Sequence, residues 1–92
     1  MNIPQELLVY MNATPRLVTE QTGGGCDYIV RHLQCNHTMV LMSNTDAESP
    51  EHLDDRCKVV VFEDFAWSRY ISFPFRNCRE AMNFMSDAED HL

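Results

Sequence analysis

The sequence predicts an α+β fold: a small antiparallel sheet of about four to five strands, with an N-terminal and a C-terminal helix packed on it. Three observations support this prediction. Apolar residues recur at three- and four-residue spacing near both ends of the chain. Between them lie runs rich in β-branched and aromatic residues, separated by residues that favour turns. Hydrophobic residues make up 45% of the chain, which is the ordinary share for a domain with a buried core.

The first predicted element is a short helix over about residues 4–12. Pro4 suits the first helical position, and Glu6 follows close to the positive end of the helix dipole. Four apolar residues fall on one face of this helix: Ile3, Leu7, Leu8 and Met11. Pro15 cannot continue a helix, so the element is expected to end before it.

The middle of the chain predicts five strands in two hairpin-like groups. The strand-like runs cover residues 16–21, 26–33, 38–43, 57–64 and 67–75. Glycines 23–25 make a turn between the first two runs, because glycine adopts turn conformations at little cost. Residues 34–37 make the next turn, and a further turn lies near residues 64–66. Pro74 is expected to end the last strand, because proline cannot donate to a strand ladder.

Residues 44–56 differ from their surroundings in composition. They contain five acids, one proline and one large apolar residue. This composition predicts a surface loop. Long loops in small domains are often functional, so the loop is a candidate binding segment.

The last predicted element is a helix over about residues 78–90. Asn77 is placed to cap it, and Glu80 follows three residues later, as in a capping box. An apolar stripe runs along this helix through Ala81, Met82, Phe84, Met85 and Ala88. We expect Phe84 and Met85 to anchor the helix in the core.

Length and charge restrict the possible functions. The chain has 92 residues and a net charge of −7, from fourteen acids and seven bases. The length predicts one domain over residues 1–92. Direct binding of DNA or RNA is disfavoured because it needs a basic face, whereas a cationic partner is favoured. No apolar run approaches the roughly 20 residues that span a bilayer, and the N-terminus does not resemble a signal peptide, so a cytoplasmic location is predicted.

Histidine and cysteine are concentrated between His32 and His37, where the sequence reads HLQCNH. Cys35 and these histidines could be zinc ligands, but the chain has no CxxC pair and the spacing matches no common ligand pair. We interpret the stretch as a hairpin turn. Cys78 is the best-placed nucleophile, because a helix start near Arg76 and Arg79 would lower the pKa of its thiol. A packed, reduced thiol is the favoured interpretation, and no catalytic residue, cofactor or metal ligand is predicted.

The remaining candidate site is a set of acids interleaved with aromatic residues. Its predicted partner-binding residues are Asp46, Glu48, Glu51, Asp54, Asp55, Glu63, Asp64, Phe65 and Trp67. Carboxylates with neighbouring aromatic side chains suit docking onto an arginine-rich protein surface, where the aromatic rings act as anchors.

Together these features favour a non-enzymatic acidic protein that inhibits or modulates a basic, nucleic-acid-binding partner. Anti-CRISPR and anti-restriction proteins of phages and mobile elements are of this type, although no motif assigns the chain to such a family. A second interpretation is a structural or assembly subunit that forms a homodimer through a sheet edge or the C-terminal helix. A third is a small cysteine- or zinc-dependent protein.

Overall fold

The computed structural model describes residues 3–22, 26–33, 37–44, 49–63 and 66–88. It contains a five-stranded antiparallel sheet with a helix before it and a helix after it, which confirms the predicted α+β class. The elements are α1 (Gln5–Asn12), β1 (Val18–Thr22), β2 (Cys26–His32), β3 (His37–Ser43), β4 (Cys57–Glu63), β5 (Ala66–Phe75) and α2 (Cys78–Ser86). The strands follow one another in the sheet in chain order, so every neighbouring pair is antiparallel.

Both helices pack on the same face of the sheet. Leu7 of α1 and Met82 of α2 are buried in one cluster with strand residues such as Leu41 and Val59. Met85 is fully buried, as expected for an anchor of α2. Phe84 is only partly buried, with its ring against the rings of Phe73 and Phe75 at centroid distances of 5.3 and 5.2 Å.

Helix α2 ends at Ser86, earlier than the predicted boundary near residue 90. The last carbonyls of a helix have no partner within the helix and need another donor. Arg31 of β2 supplies it: its guanidinium Nη1 lies 2.6 Å from the carbonyl oxygen of Met85 and 2.6 Å from that of Ser86. Arg31 is only 3% exposed, so its positive charge is placed inside the protein at the negative end of the helix dipole.

Pro74 does not end the last strand, contrary to the prediction. It lies within β5 and is paired with Lys58 of β4. Proline is tolerated there because β5 is an edge strand, and one side of an edge strand needs no ladder hydrogen bonds. At the other end of β5 the register shifts. Tyr70 pairs with Phe62, but Ala66 rather than residue 69 pairs with Glu63.

The second face of the sheet carries its own apolar cluster. Its buried members are Tyr28, Val30, Val40, Val60 and Phe62, with Met42 packed against them. The central strands β3 and β4 are therefore buried on both faces. Such strands have runs of consecutive apolar residues instead of strict alternation.

Candidate protein-docking surface

The structure separates the predicted partner-binding residues into two groups. Glu51, Asp54 and Asp55 lie in the segment 49–56, which leads from β3 into β4, and Glu63 is the last residue of β4. At about 3.3 Å per residue, the length of β4 puts roughly 20 Å between the two ends of that strand. Asp46, Glu48, Asp64 and Phe65 lie outside the described residues, and of Trp67 only the backbone is described, within β5. Glu63 and the segment 49–56 therefore lie at opposite ends of β4.

The segment 49–56 is fixed to three elements of the fold. The backbone N–H of Leu53 donates to Glu6 Oε1 of α1 at 2.8 Å. The carbonyl oxygen of Leu53 accepts from the backbone N–H of Cys78 in α2, also at 2.8 Å. The hydroxyl of Ser49 donates to the carbonyl oxygen of Asp27 in β2 at 2.8 Å. The acids on this segment are thus held at defined positions, and less entropy is lost when a fixed segment binds a partner.

Asp54 is a highly accessible acid of this segment. Its side chain is 81% exposed although one carboxylate oxygen contacts Nη1 of Arg79 on α2. An ion pair this exposed contributes little to stability, because water and salt screen it. Its carboxylate can therefore exchange Arg79 for another cation at low cost. Glu51 is also exposed.

Asp55 has an internal role instead. Its carboxylate oxygen Oδ2 accepts from the backbone N–H of His52 at 3.1 Å, and its own N–H donates to the carbonyl oxygen of His52 at 3.2 Å. These reciprocal hydrogen bonds close the turn between the two residues. Asp55 is half-buried, and its carboxylate helps to hold the segment in its conformation.

Glu6 is a member of the surface that the sequence did not reveal. Its Oε1 accepts from Leu53 and also lies 3.2 Å from Nδ1 of His52. In the sequence, Glu6 looked only like an acid at a helix start. The fold brings it beside a segment more than forty positions later, and no short-range pattern encodes that contact.

Arginines are interspersed with the acids at this end of the molecule. Arg76 Nη2 lies 2.6 Å from Glu80 Oε1 one helical turn away, and this hydrogen bond raises the pKa of the Arg76 guanidinium. Arg56 and Arg76 also line an open cleft together with Asn44, Pro74 and Phe75. Arginine side chains therefore border the segment 49–56, and the exposed acids of this segment are Glu51 and Asp54.

The two histidines of the HLQCNH stretch turn to different acids. His32 contacts Glu20 of β1 through Nε2, whereas His37 Nε2 lies 3.6 Å from Glu63 Oε1. Strands β2 and β3 pair as a hairpin across this stretch, with His32 opposite Thr38. Within the described ranges, no group of three or more His, Cys, Asp or Glu side chains is arranged to hold a metal ion.

Cys78 does not have the environment that the sequence suggested. Arg76 and Arg79, which were expected to lower the pKa of its thiol, are paired with Glu80 and Asp54. Cys78 is fully buried, and a hydrogen bond with Cys57 together with burial raises the pKa of its thiol.

No family model, curated protein or solved structure matches this chain. Among the described helices, none is long and apolar enough to cross a membrane.

Proposed function

We propose that this chain is a non-enzymatic, cytoplasmic binding protein that inhibits or modulates a basic, nucleic-acid-binding partner. The observation that carries the proposal is the exposed carboxylate of Asp54 on a segment that backbone hydrogen bonds fix in place. The net charge of −7 adds a long-range attraction to cationic surfaces. Fixed carboxylates can occupy a groove that otherwise holds phosphates, which is the mode expected of an anti-CRISPR or anti-restriction protein encoded by a phage.

In this proposal the residues of the surface have different roles. Glu51 and Asp54 contact the partner, whereas Glu6 and Asp55 hold the segment in its conformation. Arg79 competes with the partner for Asp54, because both would offer a cation to the same carboxylate. Glu63 lies at the opposite end of β4 and would form a separate contact on a partner large enough to reach both ends. Asp64, Phe65 and Trp67, which follow Glu63 in the sequence, stay predicted members of that contact.

The first experiment identifies a partner and then tests the charge mechanism on it. Proteins captured from a host lysate are assayed for displacement by duplex DNA, and binding to one displaced protein is then measured kinetically. We expect Glu51→Lys with Asp54→Lys to reduce the association rate roughly tenfold, with a smaller change in dissociation, and added salt to weaken wild-type binding similarly. Asp55 is left unchanged because its carboxylate closes a turn.

Two variants serve as controls. Arg79→Gln frees the carboxylate of Asp54 and removes a positive charge, so it should strengthen binding severalfold. Glu63→Lys changes the charge at the opposite end of β4 and reveals whether that end also contacts the partner. Binding that is independent of salt and unchanged by the double reversal would refute the proposal.

An alternative function is that of an assembly subunit that forms a homodimer through the edge strand β5. Tyr70 and Ile71 on that strand are 60% and 57% exposed, and an exposed apolar edge strand can pair with a second chain. Elution volume over a concentration series tests this function. A size that remains monomeric at the highest concentration, and is the same for Ile71→Lys, would exclude it.

A further inference from the structure

Two cysteines from distant parts of the sequence meet in the core beneath the segment 49–56. Cys57 is the first residue of β4, and Cys78 is the first residue of α2. Both are free thiols with no exposed surface, and both belong to the cluster between the sheet and the helices. Cys57 pairs across the sheet with Phe75, three residues before Cys78, and this connection brings the two thiols to the same end of the sheet.

The two cysteines lie in the same part of this cluster, and backbone groups hold the Cys78 side chain there. The interaction between the two side chains is the main cause of the shifts in their pKa values, which lower the pKa of Cys57 and raise that of Cys78. The Cys78 thiol also lies 3.4 Å from the carbonyl oxygen of His52 and 3.7 Å from that of Asp55. Its N–H donates to Leu53, so the pair touches the inner side of the segment 49–56. A disulfide needs sulfurs that approach closely on facing side chains, and the register of β4 with β5 and the shared cluster bring the two side chains together at one end of the sheet.

We propose that Cys57 and Cys78 form an oxidisable dithiol, a modification site at which a low-molecular-weight disulfide such as oxidised glutathione converts the two thiols into an intramolecular disulfide. This inference goes beyond the proposed function, because it requires no protein partner. The reduced pair is the form present in the structure. The oxidised pair would join the start of β4 covalently to the start of α2.

The reaction proceeds by two thiol–disulfide exchanges. The hydrogen bond from Cys78 lowers the pKa of Cys57, so Cys57 is the thiol that attacks first as thiolate. It displaces one glutathione thiolate and forms a mixed disulfide. The Cys78 sulfur, after losing its proton, then attacks the Cys57 sulfur and expels the glutathione that was attached there. Both protein thiols are oxidised, one glutathione disulfide is reduced to two thiols, and the two protons pass to the leaving thiolates.

Burial controls the rate of the first exchange. The thiols become accessible when the first turn of α2 separates from the segment 49–56, which breaks the hydrogen bond between Cys78 and Leu53. Such local opening is less costly than global unfolding. The disulfide then closes a loop of about twenty residues, and a loop of that length is expected to raise the melting temperature by roughly 10 °C or more.

The test uses the full chain with Cys26→Ser and Cys35→Ser, so that only this pair can react. The native protein is incubated with oxidised glutathione, and intact mass and thermal melting are measured. We expect the mass to fall by two hydrogen atoms and the melting temperature to rise. In the wild type, peptide mapping should link the peptides that contain Cys57 and Cys78, which keeps the test valid if the double serine variant folds poorly.

The Cys78→Ser variant provides the matched control. It should stop at the mixed disulfide and gain the mass of one glutathione, because no second thiol can release it. Three results would overturn the proposal: a native protein that stays fully reduced, a mixed disulfide that persists when both cysteines are present, or a disulfide that forms only in denaturant.

Discussion

The two faces of the sheet bury apolar residues in different ways. On the helix-covered face, Leu41 and Val59 are fully buried in a cluster that also includes side chains from α1 and α2. On the opposite face, Val40 and Val60 are also buried, but the described members of their cluster all come from β2, β3 and β4. Adjacent residues of one strand therefore enter cores of different composition.

This difference indicates which face is more sensitive to substitution. Side chains between a sheet and two helices are confined from several directions, so removing atoms leaves a cavity that neighbours cannot fill. Side chains of a cluster formed within one sheet can relax more easily, because fewer rigid elements surround them. The helix-covered face should therefore dominate the stability of the domain.

The largest loss in the free energy of unfolding is expected for a methionine on the helix-covered face. Met39 and Met42 both lie in β3, but Met39 is fully buried beneath the helices, whereas Met42 is partly buried on the opposite face. Met39→Ala should reduce the free energy of unfolding by about 3–4 kcal/mol, and Met42→Ala by about 1 kcal/mol. Urea unfolding of both variants measures the difference, and equal losses would mean that the two faces contribute equally.

The sequence predicted these strands more directly than it predicted the contacts of the segment 49–56. The apolar runs around Val40 and Val60 identify central strands, because local periodicity determines strand position. The two faces were harder to assign, since a run without alternation does not show which side the helices cover. The contact of Glu6 with Leu53 and the meeting of Cys57 with Cys78 depend on tertiary structure, so no local pattern predicts them.

The next largest loss of stability is expected for Arg31, the buried charged residue on the helix-covered face. Arg31→Met keeps an apolar chain of similar length but removes the two hydrogen bonds to the C-terminal end of α2. We expect a loss of about 2–3 kcal/mol, because the buried Met85 carbonyl would lose its Arg31 donor and the Ser86 carbonyl would keep the longer contact with Arg16. The control is Arg16→Met, since Arg16 is exposed and its Nη1 reaches the Ser86 carbonyl at 3.2 Å. A neutral Arg31→Met would show that desolvation of the charge offsets its hydrogen bonds.

A smaller loss of stability is expected for Phe84, at the edge of the helix-covered face. Phe84 packs against Phe73 and Phe75 of the edge strand β5 while remaining partly exposed. A fully buried phenylalanine would cost about 3–5 kcal/mol on truncation to alanine, so we expect about 1–2 kcal/mol for Phe84→Ala. Phe84→Leu should recover part of the loss by restoring apolar contact. Thermal melting can rank the three proteins, and a loss as large as that of Met39→Ala would contradict the assignment of Phe84 to the edge.

The smallest loss of stability is expected for Asn77. Its effect on hydrogen exchange should distinguish the helix-covered face from the opposite face most clearly. The side chain of Asn77 accepts from the backbone N–H of Glu80 at 2.9 Å and caps the start of α2. Asn77→Ala should cost about 1 kcal/mol, whereas Asn77→Asp keeps an acceptor and should cost little. Because the change acts on α2 alone, hydrogen exchange should accelerate for the amides of α2 by local fraying. Amides of β2 and β3 that exchange through local opening should keep their rates. Uniform acceleration in α2 and the sheet would instead show that the helix and both apolar clusters open as one cooperative unit.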